Sequence, residues 1–240
     1  MRTVKRFLRR QVTRIGRTLN ETGVAPEREP VYQSIVDRDL RALGMENRYY
    51  PLSGAANYSL LYLLLRSAQE FDIRRLVELG AGQTSILIES LSQRGLLRGN
   101  RLTIEHDPGW AERIRQLVTH EIVTVPLISR DDAPRPYRGY DLTSVPVSER
   151  IDFLIIDGPP AFHSEQAFAR FGMLALLKFL DPAGYAIIID DAERDGERLL
   201  AMRIEHELAA RGDNIKKAEI RATKKQVVLA SGRFEAAAYF

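Results

Sequence analysis

From residue 74 onward, short β-rich apolar runs alternate with helical stretches, and this alternation constrains the fold more than any other feature of the chain. Five strands are predicted, over Arg75–Leu79, Arg101–Glu105, Val123–Leu127, Ile151–Ile156 and Tyr185–Asp190. Helices are predicted between them, near Thr84–Arg94, Gly109–Thr119 and Glu165–Phe179. Such alternation is typical of parallel strands joined by crossover helices, and it predicts an open α/β sheet with helices on both faces.

The end of the chain departs from this alternation. A helix is predicted over Ala192–Arg211, and strands are predicted over Ile215–Ala222 and Gln226–Ala230. Two strands separated by so few residues form a hairpin and not a further crossover unit. We therefore expect a Rossmann-like sheet of about seven strands, mostly parallel, with a reversed last strand.

The composition is that of a globular protein with one substantial core. The chain has 240 residues, of which 45% are hydrophobic, too many for a disordered chain. The absence of cysteine excludes disulfides, thiolate metal sites and cysteine nucleophiles, and no apolar run approaches the length of a membrane span. Two further helices are predicted over Tyr32–Leu43 and Asn57–Ala68. The predicted parts are an N-terminal helix (1–22), a linker (23–30), a helical cap (31–70) and a core (71–240).

Charge is concentrated at the N-terminus. Residues 1–19 carry seven basic residues and no acid, whereas the remainder has 28 basic and 32 acidic residues. Apolar residues recur there at helical spacing, at Val4, Leu8, Val12, Ile15 and Leu19. Such a helix could bind an anionic membrane surface, dock on the body or on another subunit, or act as a targeting segment. Because the rest of the chain is acidic, we expect no nucleic-acid partner. We also expect a cytoplasmic protein, which would lie at the inner face of the membrane if the N-terminal helix binds lipid.

The segment Glu78–Gly82 joins the first strand of the sheet to its first helix. Its two glycines allow the backbone to turn tightly and to approach a ligand, and the helix start at Thr84 and Ser85 offers free N–H groups. The third glycine of a dinucleotide-binding loop is absent near Ser85. Glu78, just before the glycines, favours an amine-bearing ligand over a pyrophosphate.

The second predicted strand ends in Glu105, 25 residues after Gly80. A carboxylate at that position can accept hydrogen bonds from both hydroxyls of a ribose; a solvated strand end is the alternative. His106 is expected to line the same pocket or to be exposed. Asp107 and Pro108 are explained as the cap and first residue of the next helix.

Together, the glycine loop and Glu105 resemble the cofactor site of the class I S-adenosylmethionine-dependent methyltransferases, over roughly residues 70 to 232. The resemblance implies S-adenosylmethionine (SAM) as cofactor, with its methionine end at the loop and its ribose at Glu105. It assigns to cofactor binding Glu78, Gly80, Ala81, Gly82, Thr84, Ser85, Glu105, His106 and Asp157. The first helices would then cap the cofactor, with Ser53, Asn57 and Tyr58 near its edge. The stretch Glu105–Trp110 resembles, more weakly, bacterial members that modify sugars and polysaccharides.

Two later strands end in acids, at Asp157 and at Asp190 and Asp191. Both ends fall on the carboxyl edge of a parallel sheet, so the three carboxylates could converge and hold Mg²⁺ or another divalent cation. They resemble the metal site of catechol-type O-methyltransferases, in which an asparagine usually stands at the position of Asp191. The alternative is structural, because these acids could cap the next helix and stabilise a turn.

Two further features concern the acceptor side. His163, six residues beyond Asp157, could be the general base that takes the acceptor's proton, or a polar surface residue. Tyr137 and Tyr140 fall in a predicted long loop (128–150), where they could form an acceptor platform or anchor the loop.

These features predict a methyltransferase that acts on a hydroxyl of a small polar acceptor, such as a sugar or glycan precursor. Asp157, Asp190 and His163 are the predicted catalytic residues, with metal assistance through Asp157, Asp190 and Asp191. Three alternatives remain: an aminopropyltransferase of the same fold, a non-catalytic cofactor-binding module docked to a membrane complex, and nucleic-acid methylation, which the acidic body disfavours. The sequence does not identify the acceptor, and a homo-oligomer stays open.

Overall fold

The computed structural model describes residues 23–51, 54–145 and 150–240. In chain order the strands are β1 (Arg75–Leu79), β2 (Asn100–Glu105), β3 (Glu121–Thr124), β4 (Leu127–Arg130), β5 (Tyr137–Tyr140), β6 (Phe153–Ile156), β7 (Gly184–Ile189), β8 (Lys216–Arg221) and β9 (Lys225–Gly232). Seven of them form one sheet in the spatial order β3-β2-β1-β6-β7-β9-β8. Strand β9 is antiparallel to both of its neighbours, and the other pairs in this sheet are parallel. The predicted Rossmann-like sheet with a reversed last strand is confirmed.

Five α-helices surround this sheet in the described residues: α1 (Glu29–Ala42), α2 (Tyr58–Glu70), α3 (Gln83–Gln93), α4 (Pro108–Arg115) and α5 (Asp195–Ala210). The crossover from β6 to β7 was expected to be one helix near Glu165–Phe179, but it consists of two 3-10 segments, Ser164–Gln166 and Ala169–Phe179. Asp107 caps α4 as predicted, since its side chain accepts a hydrogen bond from the Trp110 amide at 2.8 Å. None of the described helices is long and apolar enough to cross a membrane.

Hydrophobic clusters cover both faces of the sheet. Successive strand residues point to opposite faces, so Val77 belongs to the cluster packed by α5, whereas Leu76 belongs to the cluster packed by α2 and α3. Helix α2 is buried along most of its length in this second cluster. The segment predicted as a cap therefore shares its core with the sheet, and of its described residues only the connection at Gly54–Ala56 reaches the cavity described below.

Two segments differ from the predictions. Residues 23–30, expected to be a linker, contain a 3-10 turn (Pro26–Arg28) and the start of α1, because both prolines lie at helix starts, where no amide is needed. Residues 128–150, expected to be a long loop, contain most of the antiparallel β4–β5 hairpin, which pairs Leu127 with Tyr140. The predicted N-terminal helix (1–22) and Ser53 lie outside the described residues.

The order of the strands creates a crevice at the carboxyl edge of the sheet. Strand β1 is paired with β2 on one side and with β6 on the other, so successive connections leave it in opposite directions. Ligands of open α/β sheets bind at such a switch point. Here the glycine loop follows β1 and Asp157 follows the neighbouring strand β6, and the Asp157 amide donates a hydrogen bond to the Leu79 carbonyl at 2.9 Å.

Candidate active site

A cavity of about 530 Å³ opens at this switch point. One wall is the loop Gly80–Gln83, a second is the end of β2 with His106 and Trp110, and a third is Asp157 with the turn that follows it. Gly54–Ala56, Phe162 and Arg170 complete the lining. The volume lies within the range of about 300–1,000 Å³ that is usual for small-molecule sites.

The two glycines of the loop serve different purposes. Gly80 has a φ of +95°, and a Cβ there would lie 2.9 Å from the backbone of Asp157, so the close approach of the two strand ends requires glycine. Gly82 has an extended φ of 176°, and a Cβ there would meet no atom within 4 Å. The open space beside Gly82 is therefore available to a ligand.

Glu105 lines the cavity and is held by backbone amides. Its Oε1 accepts hydrogen bonds from the amides of His106 and Asp107 at 2.6 and 2.8 Å, and its Oε2 accepts one from the Ala81 amide at 3.0 Å. Burial alone would raise the pKa of this carboxyl, but these donors and the His106 side chain hold it below the ordinary value. Glu105 is thus an ionised acceptor, and Oε2 retains capacity for a further donor.

Glu78 lies behind the glycine loop and does not line the cavity, which differs from its predicted contact with the ligand. The alternation of strand β1 directs its side chain to the face covered by α3. Its Oε2 accepts hydrogen bonds from the hydroxyls of Ser85 and Thr103 at 2.6 and 2.8 Å, and Ser85 in turn accepts one from the Gly82 amide. Burial raises the pKa of Glu78 to about 7. Thr84 and Ser85 are likewise buried behind the loop.

The three predicted aspartates do converge. Oxygen atoms of Asp157, Asp190 and Asp191 lie within 4.8 Å of one another. Asp157 lines the cavity, whereas the other two are buried and do not. Burial and the nearby Asp190 carboxylate raise the pKa of Asp157 well above its ordinary value.

Two buried cations in this cluster were not found from the sequence. The buried Arg170 guanidinium contacts Asp191 Oδ2 at 2.8 Å and Asp157 Oδ1 at 3.4 Å, and the Lys224 ammonium contacts Asp190 Oδ2 at 2.8 Å. Burial alone would lower the pKa of Lys224, but the surrounding aspartates raise it above the ordinary value, so the ammonium stays charged. A signal for Arg170 exists, because an arginine inside a largely apolar segment needs a buried acid as partner.

The other predicted acceptor residues lie apart or play different roles. His163 is exposed and does not line the cavity. Tyr137 is buried in β5 and donates a hydrogen bond to Asp132 at 2.7 Å. The Tyr140 hydroxyl is buried without a hydrogen-bond partner among the described residues, and a Cβ on Gly158 would lie 2.9 Å from it.

Comparison with known proteins identifies the fold. No protein-family model and no curated protein matches the chain in sequence. An O-methyltransferase from Bacillus cereus, solved in complex with S-adenosylhomocysteine (SAH), is 17% identical, with a TM-score of 0.50 over 82% of this chain and 90% of that chain. A methyltransferase from Pyrococcus furiosus is 16% identical, with a TM-score of 0.51 over 86% of this chain and 97% of that chain. This chain thus has the fold of these methyltransferases, which confirms the predicted resemblance at the level of the fold.

Proposed function

We propose that the chain binds SAM in the cavity at the switch point and transfers its methyl group to a hydroxyl of a small polar acceptor. The observation that carries the proposal is the joining of three features in one cavity: an open glycine loop, the ionised Glu105 and the carboxylate of Asp157. The structure from Bacillus cereus, which shares the fold, was solved with SAH. That complex supports a ligand of this class here.

The residues present fit SAM. Glu105 Oε2 can accept from a ribose hydroxyl, and the space beside Gly82 leaves room for the ligand next to free amides at the start of α3. The indole of Trp110 lines the same wall and is fixed by a hydrogen bond from Nε1 to the Ala81 carbonyl at 2.7 Å, so it offers an aromatic surface to a base. Glu78 acts through Ser85 to hold the loop.

When bound, SAM supplies an activated methyl group whose bond to sulfur breaks as the acceptor oxygen attacks. The chain has to align the acceptor and remove its proton. Asp157 is the proposed proton acceptor, because it lines the cavity, and burial together with the nearby Asp190 raises its pKa above the ordinary value. Asp190 is less suited to that role, since its oxygens are occupied by Lys224 and Gln226. The exposed His163 could assist only if its loop moved over the acceptor.

Turnover with a panel of acceptors tests this function. Purified protein is incubated with SAM and small polyols, sugars or catechols, and released SAH is measured. Release with a hydroxyl acceptor, reduced at least about tenfold in Asp157→Asn while SAH binding is retained, supports the proposal. Methylthioadenosine released from decarboxylated SAM and a polyamine would instead identify an aminopropyltransferase. SAH binding without turnover of any acceptor would favour the non-catalytic module.

Three further expectations remain proposals. The acceptor is a saccharide or another small molecule and not a nucleic acid, because the body of the chain is acidic. The basic residues 1–19 would bring the protein to the inner face of the cytoplasmic membrane. Whether the chain forms a homo-oligomer is a separate question for measurement. Metal assistance through the three aspartates also stays a prediction, and the charges around them bear on it directly.

A further inference from the structure

The aspartate cluster is surrounded by cationic side chains from three separate segments. Lys224 Nζ, from the turn between β8 and β9, lies 2.8 Å from Asp190 Oδ2 and 3.0 Å from Asp191 Oδ1. Arg170, from the 3-10 segment before β7, lies 2.8 Å from Asp191 Oδ2, and Arg194, just before α5, lies 2.9 Å from the same oxygen. Three cations thus face the three aspartates.

Most of the oxygens that a metal would need lie close to a nitrogen of a neighbouring side chain. Asp190 Oδ2 accepts from Lys224, and its Oδ1 accepts from the Gln226 amide at 2.6 Å. Both oxygens of Asp191 lie within 3.0 Å of a cationic nitrogen. Asp157 has one oxygen near Arg170, at 3.4 Å. A divalent cation would have to displace Lys224 to reach two carboxylates at once.

Charge balance opposes such a displacement. With the three aspartates ionised, Asp157, Asp190 and Asp191 are balanced by Arg170, Arg194 and Lys224. Two further acids lie nearby, Glu197, 3.5 Å from Arg170, and Glu193, and burial raises the pKa of both carboxyls. Glu197 is itself buried, which raises its pKa to about 7. A dication added to this buried group would leave positive charge without counter-charge, and buried unpaired charge is strongly unfavourable. The donor set therefore does not fit a resident divalent metal.

The ammonium of Lys224 is held in place by its turn. The Lys224 carbonyl accepts from the Ala222 amide at 2.8 Å, and the amide of Lys225 donates to Glu193 at 2.8 Å. Next to it, Gln226 donates from one nitrogen to both Asp190 and Asn57, while its oxygen accepts from the Ser59 hydroxyl at 2.6 Å. The side chain of Lys224 is only 10% exposed. A cation fixed in this way needs no rearrangement to face the carboxylates.

Asp191 has a backbone conformation that is uncommon for a residue other than glycine. It is the only non-glycine residue of the described part of the chain with a positive φ, at 58°. A buried non-glycine residue in that region is unfavourable and persists only when its surroundings impose it. The carboxylate of Asp191 is contacted by Lys224, Arg170 and Arg194.

We propose that Lys224 is the built-in cation of the aspartate cluster, and that its ammonium holds Asp190 and Asp191 in the position where a divalent metal would otherwise bind. Lys224 is a positioning residue, because it contacts the carboxylates and not the cavity. The cluster then operates without a divalent metal, and of the three aspartates only Asp157 lines the cavity, next to Arg170. This inference refines the chemistry of the proposed function, but its test does not require methyl transfer.

Binding of Mn²⁺, followed by electron paramagnetic resonance of the free ion, tests the proposal. The full chain is compared with Lys224→Met, which removes the ammonium at similar length, and with Lys224→Arg, which keeps the charge. We expect no Mn²⁺ site with a Kd below about 1 mM in the wild type or in Lys224→Arg. Lys224→Met is expected to bind one Mn²⁺ at least tenfold more tightly than the wild type, and the added Asp190→Asn substitution is expected to abolish that site.

For folded proteins, two results would overturn the proposal: a wild-type Mn²⁺ site that Asp190→Asn removes, or a Lys224→Met chain that gains no Mn²⁺ affinity. Folding is followed by circular dichroism with and without Mn²⁺. A Lys224→Met chain that folds only with Mn²⁺ supports the proposal, and one that stays unfolded with Mn²⁺ counts against it. Calorimetric SAH binding, measured in parallel, reports on the proposed function alone, so the two proposals can fail separately.

Discussion

At the scale of single residues, the side-chain carboxyl group occurs in three different environments. Glu105 is kept ionised by backbone amides, Glu78 has its pKa raised to about 7 by burial, and Asp157 has its pKa raised by burial and by Asp190. The environment, and not the residue type, thus determines the role of each carboxyl group: Glu105 accepts hydrogen bonds from the ligand, Glu78 supports the glycine loop, and Asp157 accepts a proton.

The raised pKa of Glu78 predicts a pH dependence of stability. The folded chain holds this proton more tightly than the unfolded chain, so the contribution is fully present below about pH 4.5 and is lost as pH rises through 7. Between these values the free energy of unfolding should fall by about 3 kcal/mol on account of this group. Urea unfolding from pH 5 to 8 should show a shallower decline in Glu78→Gln. Parallel pH profiles for the two proteins would refute the assignment.

The role of Glu105 predicts a loss of ligand affinity without unfolding. Hydrogen bonds to an ionised acceptor contribute about 1.5–3 kcal/mol, so Glu105→Gln should weaken SAH binding by roughly tenfold or more. Calorimetric titration measures this change. Glu112→Gln on the neighbouring helix α4, where the side chain is 64% exposed, is the matched control and should bind as the wild type does. Equal affinity in both variants would show that Glu105 does not contact the ligand.

Which site residues the sequence could predict depends on how local their signals are. Gly80, Gly82 and Glu105 lie at strand ends within one βαβ unit, where spacing along the chain determines position. Lys224 meets Asp190 across 34 residues and Arg170 meets Asp191 across 21, and neither pairing leaves a periodic pattern. Glu78 does not line the cavity, because the alternation of β1 directs its side chain to the face covered by α3, and its contact with the ligand stays a prediction.

At the scale of elements, close packing fixes where α5 begins. Gly196 is the second residue of this helix, and a Cβ there would lie 1.6 Å from the Ala167 carbonyl oxygen. The helix therefore rests directly on the backbone that precedes the 3-10 segment carrying Arg170. Glu197, the next residue, reaches the same arginine.

This contact predicts that Gly196→Ala destabilises the protein, although alanine favours helices. Overpacking against a backbone that cannot move away should cost about 1–3 kcal/mol or more. Gly109→Ala is the matched control, because Gly109 is the second residue of α4 and a Cβ there meets only Asp107 Oδ1, at 3.3 Å. Thermal unfolding should show a lower midpoint for Gly196→Ala alone. An unchanged midpoint would mean that the helix start can shift freely.

Elements with strong periodicity were predicted well, and irregular ones were not. Strand β1 has its predicted bounds, and β2 and β7 lie within a residue of theirs. The β4–β5 hairpin was missed because its strands have four residues each and alternate weakly, so tertiary packing of Tyr137 and Tyr140 determines it.

At the scale of the whole molecule, positive charge is concentrated in residues 1–19 and the rest of the chain is net acidic. Residues 1–19 contain seven basic residues and no acid, whereas the remainder has four more acidic than basic residues. A chain whose first 19 residues are basic and whose remainder is net acidic can approach an anionic membrane through residues 1–19.

This division predicts binding to anionic vesicles. Each basic residue near the lipid contributes about 1 kcal/mol, so replacing Arg6, Arg9 and Arg10 by serine should weaken binding by roughly a hundredfold. Co-sedimentation with vesicles that contain phosphatidylserine measures the effect, and neutral phosphatidylcholine vesicles serve as control. If the substituted and original chains sediment alike, residues 1–19 have another role.

The most direct test of the central claim is calorimetric titration with SAH of the wild type and of Gly82→Thr. Threonine caps helices about as well as glycine, and its side chain would enter space that no protein atom occupies. We predict micromolar binding to the wild type, and no saturable binding to Gly82→Thr at an unchanged unfolding temperature. SAH binding of equal affinity to both proteins, or to neither, would contradict the placement of the cofactor in this cavity.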